Sequence, residues 1–198
     1  MKRIALAGGI GAGKSTVLAY LRSRAYVAID ADEVYRDLVS AREPLLASLV
    51  DAFGSAILTT DGELDRAFLG AVVFSDPTAL TRLDAITHPP VGREILRQLD
   101  GAAGRAAFCA IPLFRPEHRR TLALDEVWSV QVPPAIALDR LVAQRGMSEE
   151  TARARIACQE TNEVLERQVD EVIWNTTDRE SLWTRVDELL RERGISGD

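Results

Sequence analysis

The sequence predicts an α/β fold, a parallel five-stranded sheet flanked by helices. Three observations predict it. Short apolar runs suited to buried strands alternate along the chain with stretches of helical periodicity. The first of these runs passes directly into a cluster of glycines and then into a helical segment. The chain has 198 residues, 46% apolar and 27% charged, enough to bury one core and typical of a soluble globular chain.

Arg3 to Ala7 is the first strand, short and apolar before the glycines. A helix opens near Lys14, with Val17, Leu18 and Leu21 on one face. Tyr26 to Ile29 is a second strand, ending at Asp30-Ala31-Asp32. Residues from about 31 to 100 read as helices only. Leu45, Leu46, Leu49, Val50 and Phe53 form an amphipathic face that Gly54 ends, and Asp61-Gly62 is a turn signal. Ala67 to Phe74 and Leu80 to Ile86 are further helices. His88-Pro89-Pro90 is expected to break the chain before a helix resumes towards Leu99. Ala106 to Ile111 and Glu126 to Val132 are strands, each running into proline. A helix follows to about Gln144, and Ser148 is an N-cap with Glu149 and Glu150 in the first turn. Val172 to Trp174 is the last strand. Thr177-x-x-Glu180 reads as a capping box for the last helix, which Gly194 closes.

The segment from Gly8 to Ser15 matches G-x-x-x-x-G-K-[ST], between a strand and a helix, where such a match is meaningful. Glycines let the backbone of Gly9, Ile10, Gly11, Ala12 and Gly13 curl so that N–H groups converge on phosphate oxygens. The helix behind them presents its positive end to the same anion. Lys14 adds a full charge at the β- and γ-phosphates, and the Ser15 hydroxyl suits a Mg²⁺ ion. Thr16 either shares the phosphate site or simply sits in the first helical turn. ATP and Mg²⁺ are the cofactors this implies. The loop alone fits a small-molecule kinase, a GTPase or a motor ATPase, but no N-K-x-D guanine signature is present. Asp30 or Asp32, at the strand end that faces the ligand crevice, fits a base for an attacking hydroxyl and equally fits a helix cap.

The formal net charge of −6 disfavours a nucleic-acid partner, so any phosphate ligand has to be met by a local cluster of positive groups. No apolar run approaches the roughly 18 residues of a membrane span, and the start of the chain lacks a signal-peptide pattern. Cys109 and Cys158 are the only cysteines and lack metal-ligand spacing. A cytoplasmic, monomeric protein is expected.

In order and spacing the chain resembles the dephospho-coenzyme A kinase family. The matching pieces are Gly8 to Thr16, Ile29 to Asp32, Phe53-Gly54, Asp61 to Arg66, Val73-Phe74 and His88-Pro89. They continue with Arg140-Leu141 and a displaced Arg145, Arg155-Ile156 with Gln159, and Asp170 to Asn175. The resemblance implies one P-loop kinase domain over 1–198, with a helical acceptor-binding insertion at about 31–100 and a lid at about 140–165. It implies transfer of the γ-phosphate of ATP to the ribose 3′-hydroxyl of dephospho-coenzyme A. Asp32 falls at the general-base position, and Arg66 and His88 among the acceptor-side residues. Arg140 and Arg145 are the lid arginines suited to the transferring phosphate, whereas Arg153 is better read as the partner of Glu149 or Glu150. The chain departs from the family pattern after the third strand. There the family usually reads P-L-L-x-E, often with an acid two residues before the proline. This chain has Ala110, then Pro112-Leu113-Phe114 and Arg115, so both acids are absent and an arginine has appeared. A P-loop kinase for another small alcohol, and an inactive nucleotide-binding regulator, are the alternatives.

Overall fold

The computed structural model describes residues 1–40, 43–159 and 161–196. The chain divides into two compact units, one formed by Met1–Asp30 with Gln98–Asp198, the other by Ala31–Arg97.

The first unit holds the sheet. Strands β1 (Lys2–Ala7), β2 (Val27–Asp30), β3 (Ala106–Ala110), β4 (Glu126–Gln131) and β5 (Glu171–Trp174) lie in the order β2-β3-β1-β4-β5, and all four pairings are parallel. Every residue of β3 is buried, as a central parallel strand requires. The helices of this unit are α1 (Lys14–Ser23), α6 (Glu117–Thr121), α7 (Pro134–Arg145), α8 (Glu149–Ala157), α9 (Asn162–Glu166) and α10 (Arg179–Glu192). Ile4, Leu6, Phe108, Trp128 and Val130 from the strands pack with Val17, Leu18 and Leu21 of α1 and with Leu182, Val186 and Leu189 of α10. The expected Ser148 cap is present, its hydroxyl accepting from the Thr151 amide. The expected Thr177 cap is not. α10 is capped one residue later by Asp178, which accepts from Ser181 N at 2.8 Å. A carboxylate is the stronger acceptor at a positive helix end, so Asp178 displaces the threonine.

The second unit is built from α2 (Ala31–Leu38), α3 (Pro44–Phe53), α4 (Arg66–Ser75) and most of α5 (Pro77–Asp100). Its core gathers Val39, Leu45, Leu46, Leu49, Ile57, Leu64, Leu69 and Val73. It is not wholly helical, because Leu58 and Leu64 form an antiparallel bridge around the turn at Asp61-Gly62. The break expected at His88-Pro89-Pro90 does not occur, and α5 runs through both prolines for 24 residues. Packing on both sides overrides the local penalty. Leu83 and Ile86 lie against the helical core before the prolines, and Ile95 and Leu99 are buried after them.

Candidate active site

β1 delivers the chain into the glycine loop, and three of its glycines, Gly8, Gly11 and Gly13, have φ of 135°, 76° and 104°. A Cβ on Gly8 would meet the Val130 carbonyl oxygen at 2.1 Å, and one on Gly13 would meet Asn175 Nδ2 at 2.3 Å. The β4 backbone therefore demands glycine at position 8, and the left-handed φ favours it at position 13, independently of any phosphate. Gly13 precedes α1, which has no side-chain cap, and the amides of Thr16 and Val17 both donate to the Gly13 carbonyl at 3.0 and 3.1 Å. Thr16 thus sits in the first helical turn. Ser15 beside it is exposed. Lys14 turns back over the loop, its Nζ donating to the carbonyls of Gly8 at 2.6 Å and Gly9 at 3.1 Å.

Side chains distant in sequence hold this loop. The Ile10 amide donates to Gln159 Oε1 at 2.6 Å. Asn175 Nδ2 donates to the Ala12 carbonyl at 2.8 Å, and Arg140 Nη1 donates to the Gly11 carbonyl at 3.3 Å. Arg140 and Arg145, both on α7, line one cavity with Gly13, Ser15, Thr16 and Arg179. Three guanidinium groups around one cavity make it locally positive within a chain of net charge −6. Arg153 instead pairs with Glu149 at 2.6 Å on the exposed face of α8, as its spacing predicts.

At the C-terminal end of β3, Ala110 lies in register with Leu6 of β1 and Asp30 of β2. The carboxylate at this level of the sheet therefore comes from Asp30. Arg115 is exposed in the loop beyond, its amide donating to His118 Nδ1 at 3.0 Å. Cys109 is fully buried in β3, and burial pushes its thiol up to about 12, so it is an uncharged core residue.

Within the helical unit, Asp32 is exposed in the first turn of α2. Three residues on, Tyr35 carries the Arg66 guanidinium over its ring, 5.4 Å from the centroid. Burial raises the Tyr35 hydroxyl above its ordinary range, against the opposing charge of Arg66, so the ring remains neutral. Asp32, Tyr35 and Arg66 thus share one face of this unit. His88 lies exposed in mid-helix on α5, its Nε2 3.5 Å from Asp84 Oδ1. Among the described residues no group of three or more His, Cys, Asp or Glu gathers as a metal site.

The model of the dephospho-CoA kinase family matches residues 2–180. The chain belongs to this family. The dephospho-CoA kinase of Streptomyces avermitilis is 43% identical over 191 residues, 96% of this chain and 92% of that one. The one from Thermobifida fusca is 40% identical, over 97% and 96%. The crystal structure of a Thermus thermophilus protein superposes with a TM-score of 0.81 at 32% identity, over 96% of this chain and 97% of that one. A shikimate kinase from Bacteroides thetaiotaomicron, 17% identical with a TM-score of 0.51, shares the fold over 96% and 98%.

For a dephospho-CoA kinase family member, the residues that chemical reasoning from the sequence overlooks are Tyr35, Gln159 and Asn175. Gln159 and Asn175 lie inside the family pattern, but a lone amide side chain announces no chemistry. Their significance is the backbone they grip.

Proposed function

We propose that this chain transfers the γ-phosphate of ATP to the ribose 3′-hydroxyl of dephospho-coenzyme A, completing coenzyme A. The observation that carries the reading is the strand–glycine loop–helix unit with a three-arginine cavity beside it, in a member of the dephospho-CoA kinase family. In this reading the amides of the loop from Gly9 to Gly13, with Ser15 and Thr16, cradle the nucleotide phosphates. Lys14, already lying over the loop, supplies charge at the β- and γ-phosphates. Arg140 and Arg145 spread positive charge along the transferring phosphoryl group, and the segment at about 140–165 acts as the lid that excludes water. Asp32 accepts the proton of the attacking hydroxyl. Arg66 and His88 bind the acceptor, and the helical unit wraps its long pantetheine arm.

Mg²⁺ fits the residues present, because it takes few protein ligands and is held largely by the nucleotide's own oxygens. The exposed Ser15 hydroxyl at the mouth of the loop would hold the ion, which would supply charge neutralisation at the β- and γ-phosphates. Both cysteines are free thiols, and no helix among the described residues is long and apolar enough to cross a membrane. A monomer in the cytoplasm is part of the same proposal.

The test is an ADP-release assay with Mg-ATP and three acceptors, with the product's phosphate position read by NMR. Dephospho-coenzyme A should give a kcat/KM far above that of AMP or adenosine, because remote contacts along the pantetheine arm help position the reacting hydroxyl. Ala110 and Arg115 favour a second reading, a kinase for a different small alcohol. Equal rates with all three acceptors, or a preference for adenosine, would select it.

A further inference from the structure

Asn175 stands at the end of β5 with only 7% of its surface exposed. Its amide donates to the Gln131 carbonyl at 2.8 Å, extending the β4–β5 ladder by one residue and fixing where its side chain starts. Three groups of Asn175 are then engaged by the other side of the site. Its Nδ2 donates to the Ala12 carbonyl at 2.8 Å, while its backbone carbonyl accepts from Arg140 Nη2 at 2.9 Å. Its Oδ1 lies 3.5 Å from the same nitrogen. Arg140 closes the ring through Nη1, which donates to the Gly11 carbonyl at 3.3 Å. The fit beneath the loop leaves no slack, since a Cβ on Gly13 would lie 2.3 Å from Asn175 Nδ2.

A trans peptide points its C=O and the following N–H in opposite directions. Fastening the Ala12 carbonyl to Asn175 therefore turns the Gly13 N–H away from β5. It joins the run of amides with which such a loop surrounds an anion. We infer that Asn175 is a positioning residue for phosphoryl transfer. It aims the Gly13 amide at the nucleotide phosphates and holds Arg140 in the orientation that faces them. The inference rests on the ATP-dependent reading above, and it adds a residue that touches the loop rather than the nucleotide. A purely structural residue at the end of β5 would affect folding alone. A positioning residue changes nucleotide affinity and turnover while leaving acceptor binding untouched.

The experiment uses the full chain with the non-hydrolysable ATP analogue AMP-PNP and Mg²⁺. Asn175→Asp preserves the volume and an acceptor for Arg140 but has no N–H for the Ala12 carbonyl. Asn175→Ala removes that N–H and the side-chain oxygen as well, leaving Arg140 only the backbone carbonyl. Each is expected to raise the Kd for the analogue roughly 10- to 100-fold, the worth of one or two misdirected hydrogen bonds to a charged group. The KM for dephospho-coenzyme A should stay within about twofold of its original value. Combining Asn175→Ala with Arg140→Ala should cost little more than the larger single effect, because the two side chains act as one unit. Folded variants with unchanged analogue affinity, or losses that simply multiply, would overturn the proposal. A readout that does not depend on any variant folding is the ¹H–¹⁵N resonance of Gly13 in the unmodified chain. It should shift strongly when the analogue binds, and a resonance that stays in place under saturation also overturns the proposal. An unmodified chain that does not bind the analogue at all sinks the kinase reading itself, and the positioning role with it.

Discussion

Asp32 occupies a place where two demands coincide. In the first turn of α2 its carboxylate is favoured by the helix dipole, and it sits two residues past the C-terminal end of β2. The dipole contribution is worth only about 0.3–1 kcal/mol at an exposed position, whereas a positioned general base is worth roughly 10²–10⁴ in rate. Asp32→Asn keeps the shape and removes the base. Its expected result is a kcat lower by roughly 10²–10⁴-fold with the Kd for ATP unchanged, measured by ADP release and by titration. An unchanged kcat would leave Asp32 as a helix-end charge. The Tyr35–Arg66 stack on the same face fixes one guanidinium at the cost of little entropy, because the tyrosine ring is itself largely enclosed.

At the scale of the element, α5 is the least expected feature. Two consecutive prolines remove two backbone donors and crowd the preceding turn, a penalty of about 3 kcal/mol for one proline in a helix interior. The helix survives because Leu83 and Ile86 before the prolines are partly buried against the helical core, Ile95 and Leu99 after them are buried, and the Thr87 hydroxyl adds a bond to the Leu83 carbonyl at 2.8 Å. Pro89 is exposed, so its ring contributes little packing. Pro89→Ala restores an N–H that the Ala85 carbonyl can accept. It is expected to raise the melting temperature by a few degrees, after allowance for the greater freedom of the unfolded chain. Thermal denaturation followed by circular dichroism checks this, and a lowered midpoint would mean that the proline ring itself is needed.

On the scale of the whole molecule, the sheet separates stability from chemistry. The glycine loop and its arginines stand at the C-terminal ends of the strands, where ligands bind in parallel sheets. The N-terminal ends carry an ionic network. Lys2 opens β1, Glu126 opens β4 and Glu171 opens β5, and Arg193 beyond α10 bonds to both glutamates. Burial alone would raise the Glu126 carboxyl. Hydrogen bonds from Lys2, Trp128 and Arg193, with the charge of Arg193, instead hold it at about 2, against an ordinary value of 4.5. The folded state thus binds this proton less readily than the unfolded state. Stability from Glu126 is complete above about pH 5 and drains away as pH falls from 4.5 towards about 2. Urea midpoints measured between pH 6 and pH 3 should fall on acidification. In Glu126→Gln the slope should be shallower, and the midpoint at pH 6 already reduced. Identical slopes for the two proteins would show that the network does not govern acid stability.

The sequence by itself determined the parts that local pattern encodes. Five apolar runs became five parallel strands within a residue or two of their expected ends, and the phosphate loop stood between a strand and a helix as its motif requires. Periodicity and a contiguous motif are short-range information, and burial of the apolar face reinforces rather than opposes them. Tertiary structure decided the rest where a modest local preference met a larger distant one. Packing carried α5 through Pro89 and Pro90, and Asp178 took the cap from Thr177. The grip of Asn175 on Ala12, across 163 residues, and of Gln159 on Ile10, across 149, has no local signature at all. In the first case the strand order β2-β3-β1-β4-β5 seats β5 beyond β4, so that its last turn of chain reaches under a loop begun at the other end of the sequence. A hydrogen bond between two such groups follows from where the sheet puts them, and the sheet's order is set by the burial of the whole core.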